Sequence, residues 1–199
     1  MDSGWIIAIG ASGGAGLEDI CDLLSALPPD LDAVVMIVLH RPWDQASKLA
    51  EVLSGSSQMT VVVAGQGELL VPGTAYIAEP SIHLTLLDRT FALLAADRAR
   101  LYGKRAIDLL FQSVADCGGT NTIGVVLSGS LDDGSRGLAA IHHAGGQTMA
   151  LRPSSLLGHA MPENAIAFDG PVSVIGSGSE LAAAIIRLVR PDGKAVVGI

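Results

Sequence analysis

Only two cysteines stand in the 199 residues, Cys21 and Cys117, and no CxxC spacing relates them. That excludes a disulfide framework and a cysteine zinc site, and it leaves two free thiols, which suit a reducing compartment. No HExxH occurs, and five scattered histidines lack ligand spacing, so no metal is expected. Basic residues are scarce, 12 against 20 acidic, for a net charge of −8. Nucleic acid is thereby excluded as a partner, because phosphate binding needs a basic field. Long apolar runs are missing too; glycine or charge interrupts each one, so no membrane span or direct membrane insertion is expected. Met1-Asp2-Ser3-Gly4 has neither a basic region nor a cleavage signal, and the expectation is a soluble cytoplasmic protein. No Gly-Lys-Ser/Thr forms a Walker loop, and glycines at 10, 13, 14 and 16 miss the G-x-G-x-x-G spacing. Asp32 stands where a ribose-binding acid would, which is weak support for a nucleotide, and no cofactor is expected.

What is present is apolar and regular. Hydrophobic residues make up 49% of the chain and charged residues 16%, enough for one domain whose elements are covered on both sides. Strand-like runs, Trp5–Ile9, Ala33–Leu39, Thr60–Ala64, Ile123–Leu127, Thr148–Leu151 and Ser173–Ile175, alternate with helical patterns. Those patterns are Leu17–Leu27, Gln45–Leu53, Ile107–Cys117, Ser135–His143 and Glu180–Val189. The brief segments Thr74–Ala78, His83–Leu87 and Phe91–Leu94 read as β-hairpin material inserted at an edge. Continuous apolar strands between helices define an α/β fold: a three-layer, doubly wound, mostly parallel sheet with helices on both faces and a small hairpin insert. Residues 1–199 read as a single domain, with no second domain ahead of it.

Open sheets of this kind bind ligands outside the carboxyl ends of their strands. Ser12, His40 and Asp133 each follow such an end. Ser12 sits in Gly10-Ala11-Ser12-Gly13-Gly14, a strand–turn–helix corner that lifts a hydroxyl clear of the sheet and fits G-x-S-x-G. Histidine would take the serine proton, and an acid would hold the imidazole. The plainer roles are a helix cap for Ser12, a satisfied loop residue for His40 and a cap of the next helix for Asp133. Asp132 competes with Asp133 as the acid. His83 and His159 could line a cleft, while His142 and His143 suit a helix C-terminus. Arg98, Arg100, Lys104 and Arg105 form a basic cluster, either a solvated loop or a landing patch for an acidic protein.

The order of landmarks resembles the catalytic domain of the chemotaxis protein-glutamate methylesterases, the CheB family, over nearly the whole chain. They are Ile9-Gly10-Ala11-Ser12-x-Gly14, Leu39-His40-x-Pro42, Leu70-x-Pro72-Gly73-x-Ala75-Tyr76-Ile77-Ala78 and His83. Leu110-Phe111-x-Ser113-Val114-Ala115, Gly124-Val125-Val126-Leu127-x-Gly129, Asp133-Gly134, Ala144-Gly145-Gly146, Met161-Pro162 and Ala165 follow. The resemblance implies hydrolysis of γ-glutamyl methyl esters on cytoplasmic chemoreceptor helices, glutamine deamidation besides, and catalytic Ser12, His40 and Asp133. The surroundings depart from the family pattern. Gly13 replaces a threonine, Arg41 a methionine, Gly129-Ser130-Leu131 a Gly-Met-Gly, and Arg105-Ala106-Ile107-Asp108 an Arg-Pro-Ser-x-Asp. Two alternatives stay open: a degenerate docking module without catalysis, and a hydrolase of another small ester or amide.

Overall fold

A computed structural model describes residues 4–42, 47–96, 105–130, 132–153 and 160–190. Seven strands form one parallel sheet: β1 (Trp5–Ser12), β2 (Ala33–His40), β3 (Thr60–Val63), β4 (Thr74–Ile77), β7 (Thr122–Val126), β8 (Gln147–Leu151) and β9 (Val174–Gly176). Their order is β3-β4-β2-β1-β7-β8-β9. Two further strands, β5 (Ile82–Leu87) and β6 (Phe91–Ala96), pair antiparallel as a separate hairpin.

The helices are α1 (Gly13–Ser25), α2 (Leu49–Ser56), α3 (Ala106–Gly118), α4 (Ser135–His143), α5 (Met161–Ala167) and α6 (Gly178–Val189). They lie on both faces because the central strands are apolar along nearly all their length. Alternate residues of β1 divide accordingly. Ile7, Ile9 and Ala11 join Ile20 and Leu24 of α1, Leu53 of α2 and Ile185 of α6. Ile6 and Ala8 join Leu110 and Phe111 of α3, Ile141 of α4 and Met161 of α5 on the other face. The doubly wound fold is therefore as expected, with two cores separated by one sheet.

Three elements differ from the sequence reading. Thr74–Ile77 is no part of a hairpin; β4 lies inside the main sheet, parallel to β2 and β3. The hairpin of β5 and β6 does not extend the sheet edge. It packs on α3, where the Leu86 amide donates to Ser113 Oγ at 2.9 Å. The third is α5, a short helix absent from the expected pattern. Helix boundaries also move. α1 begins at Gly13 rather than Leu17, and α6 begins at Gly178 because Ser177 and Glu180 form a capping box. The first two residues of the expected Gln45–Leu53 helix lie outside the described residues, and α2 runs from Leu49 to Ser56. Among the described residues no helix is long and apolar enough to cross a membrane.

Candidate active site

β1 and β2 run side by side in register, with Ser12 opposite His40 at their last positions. Two neighbouring strand ends thus place a hydroxyl and an imidazole at one rim. β7, on the other side of β1, leads into the loop that carries Asp133. The sheet order therefore gathers three residues that are far apart in the chain.

Ser12 is extended, with φ −144° and ψ 138°, and Gly13 follows at φ +73°, in the left-handed region that favours glycine. The corner is tight because Gly13 can turn there. The Ser12 side chain does not cap α1, so the plain capping role is set aside. Its amide donates to the Ser128 carbonyl at 2.9 Å, and the Ser128 amide donates to Asp19 Oδ2 of α1 at 3.0 Å. The segment after β7 is thereby tied to both β1 and α1. On its far side, the Met161 amide donates to the Gly129 carbonyl at 2.9 Å, and Ser130 bridges to Ala160. A Cβ on Gly129 would lie 2.7 Å from Ser12 Cβ and 3.1 Å from Ser12 N, and would also meet Met161 Sδ. Only a glycine fits against the serine at this point.

His40 Nε2 meets Asp133 Oδ2 at 2.6 Å, with the imidazole 23% exposed and the carboxylate 2%. A buried carboxylate must be fully partnered, and Asp133 is. Oδ2 also accepts from the Ile107 amide at 2.9 Å, and Oδ1 from the Asp108 amide at 2.9 Å. These are the second and third residues of α3, whose own preceding residue, Arg105, supplies no side-chain cap. Asp133 thus caps α3 from 25 residues away, where the helix dipole also favours an anion. The expected capping role of Asp133 therefore exists, on a different helix from the one it precedes. Asp132, its rival, is exposed.

The other expected residues divide. His83 is buried within β5, and His142 and His143 end α4 as the dipole prefers. His159, Arg98, Arg100 and Lys104 lie outside the described residues. Arg105 forms an ion pair with Asp108 at 3.1 Å. Arg41 reaches away from the serine, donating to the carbonyls of Leu39 and Ala78 across β2 and β4. Burial pulls its guanidinium down from the ordinary value, against the nearby Glu79. Cys21 and Cys117 are free thiols. Among the described residues, no group of three or more His, Cys, Asp or Glu could hold a metal ion. The sequence reading missed Asp108 and Asp19 as supports of the site; an acid in a first helical turn signals a helix start but not a distant partner.

The structure thus defines a doubly wound α/β domain with a hydroxyl and a carboxylate-bound imidazole at one rim. The family model for CheB methylesterase matches residues 7–185, and the chain belongs to that family. It is 38% identical over 173 residues to the protein-glutamate methylesterase/protein-glutamine glutaminase 2 of Cupriavidus pinatubonensis, covering 85% of this chain and 48% of that protein. A protein-glutamate methylesterase/protein-glutamine glutaminase of Pectobacterium atrosepticum is 38% identical over 178 residues, covering 88% of this chain and 50% of that one. The chain thus spans about half the length of these curated relatives. The crystal structure of the Thermotoga maritima CheB methylesterase catalytic domain superposes with a TM-score of 0.83 at 27% identity. It covers 94% of this chain and 99% of that one.

Proposed function

We propose that this chain is a serine hydrolase that removes methyl esters from glutamate side chains of chemoreceptor-like proteins in the cytoplasm, with glutamine deamidation as its amide counterpart. The observation that carries the proposal is the 2.6 Å contact of His40 Nε2 with buried Asp133, on the strand end next to Ser12. Because Nε2 faces the carboxylate, Nδ1 is the ring nitrogen left to accept the serine proton. Ser12 Oγ attacks the ester carbonyl as that proton moves to His40. First-turn amides of α1, beginning at Gly13, have no intrahelical acceptor and stabilise the oxyanion, with the Ser130 amide as second donor. His40 returns the proton to the departing methoxide, and methanol leaves. Water, deprotonated by His40, then attacks the acyl-enzyme, and glutamate and free Ser12 result. Asp133 holds the ring and stabilises its cation throughout.

The test has two arms. Methanol release from a methylated receptor should require Ser12, with Ser12→Ala as the control. A fluorophosphonate probe should label Ser12 and nothing else. Labelling without methanol release would indicate a hydrolase of another small ester or amide; no labelling would indicate a docking module.

Close packing at Gly129 gives a further expectation. Gly129→Ala should displace Ser12 and lower kcat about 100-fold, since small misplacements at a reacting centre are costly. Overpacking there should also cost about 1–3 kcal/mol of stability. Gly14→Ala, on the same turn but facing open space, should leave kcat within about twofold. Equal effects of the two substitutions, read by methanol release and thermal melting, would count against Gly129 as the wall behind the nucleophile.

A further inference from the structure

Asp133 is held in place by α3, and a second carboxylate, that of Asp108, ties the loop of Asp133 back to α3. Asp108 Oδ1 accepts from the amide of Gly134 at 3.0 Å and from the amide of Gly137 at 2.9 Å. Those are the residue before α4 and the third residue inside it. Asp133 therefore caps α3, which carries Asp108 in its first turn, and Asp108 caps α4, which Asp133 precedes. Asp133 Oδ1 takes the amide of Asp108, while Asp108 takes the amide of Gly134, the residue after Asp133. The two loops cannot shift independently without breaking these bonds.

We infer that Asp108 is a positioning residue for the proposed hydrolysis: by locking the start of α4 to the start of α3, it fixes where the Asp133 carboxylate meets His40. The Asp108 carboxylate is bound to the start of α4 and to Arg105, and the Asp108 amide to Asp133, so Asp108 acts through Asp133. Its side chain is 12% exposed and bound to Arg105 at 3.1 Å. Burial pushes its carboxyl up; the Gly137 and Gly134 amides and Arg105 pull it down, and the neighbouring Asp133 charge pushes it up again. Two carboxylates are thus kept beside each other, one buried and one nearly so. Helix ends, a guanidinium and an imidazole make that arrangement tolerable.

This inference rests on the hydrolase reading, so the experiment separates the two. Ser12→Ala is run in parallel: if it retains full activity, the hydrolase reading falls. With Ser12 required, Asp108→Ala should lose about 10- to 100-fold in kcat at unchanged KM. A folded Asp108→Ala, checked by its thermal melt, with wild-type kcat would overturn the inference while leaving the hydrolase reading intact.

Asp108→Asn supplies the second readout and is the safer variant for folding. It keeps an acceptor for Gly134 and Gly137 but removes one negative charge. Because it keeps the acceptor that locks the two loops together, Asp108→Asn should recover kcat to within about fivefold of wild type where Asp108→Ala loses it. A folded Asp108→Asn that falls more than about 10-fold below wild type in kcat would overturn the positioning role, whether or not Asp108→Ala folds.

Discussion

Ser12→Ala and His40→Ala are each expected to lower kcat by about six orders of magnitude, and the double variant by little more. The reason is mechanical. Attack needs the hydroxyl and the base in one step, so removing either removes the step, and the second loss has nothing left to remove. Residual turnover of about 10³ over water would come from the oxyanion amides and from binding. The fold should not suffer. The Ser12 hydroxyl caps no helix, and its amide bond to Ser128 survives substitution, so stability should change by no more than about 0.5 kcal/mol. Single-turnover methanol release and a thermal melt measure both quantities. Losses that multiply in the double variant would sink the shared mechanism.

Asp133 should show the next largest effect, and it should separate from Ser12 by also reaching stability. Asp133→Asn is expected to reduce kcat about 10⁴-fold, because an amide cannot hold the imidazole in the tautomer that accepts the serine proton. Asp133→Ala should fall at least as far. It also strips the cap from α3, leaving the amides of Ile107 and Asp108 without their acceptor. The combined cost is about 2–4 kcal/mol, which lowers Tm by roughly 5–15 °C. Asp132→Asn is the internal contrast: its side chain is exposed, and neither rate nor melt should move appreciably. If Asp132→Asn were the damaging change and Asp133→Asn the silent one, the assignment of the acid would be reversed.

The sequence made the sheet legible because its central strands are apolar at consecutive positions, a pattern that only two covered faces explain. It made the corner at Ser12 legible because glycines bracket the serine between a strand and a helix. It could not place β4, since a run as short as Thr74–Ile77 between turns fits a hairpin as readily as an interior strand. What decides is the path of the chain, which crosses to lie between β2 and β3. It could not show α5 either. A helix of seven residues beginning Met161-Pro162 has little propensity to announce it, and it stands because Met161 and Ala165 are buried against the sheet.

At the site the division is sharper. Residue types and their places after strand ends were enough to nominate a hydroxyl, an imidazole and two adjacent acids. Choosing between Asp132 and Asp133 took the fold, because neighbours in sequence differ here only in burial and in which amides they reach. The same holds for Asp108, whose partners lie 26 and 29 residues along the chain. Composition and periodicity act over a few residues and so fix elements and their exposed or covered faces. Pairing across 93 residues, as between His40 and Asp133, is settled only when strand order and helix ends bring donors to acceptors in space.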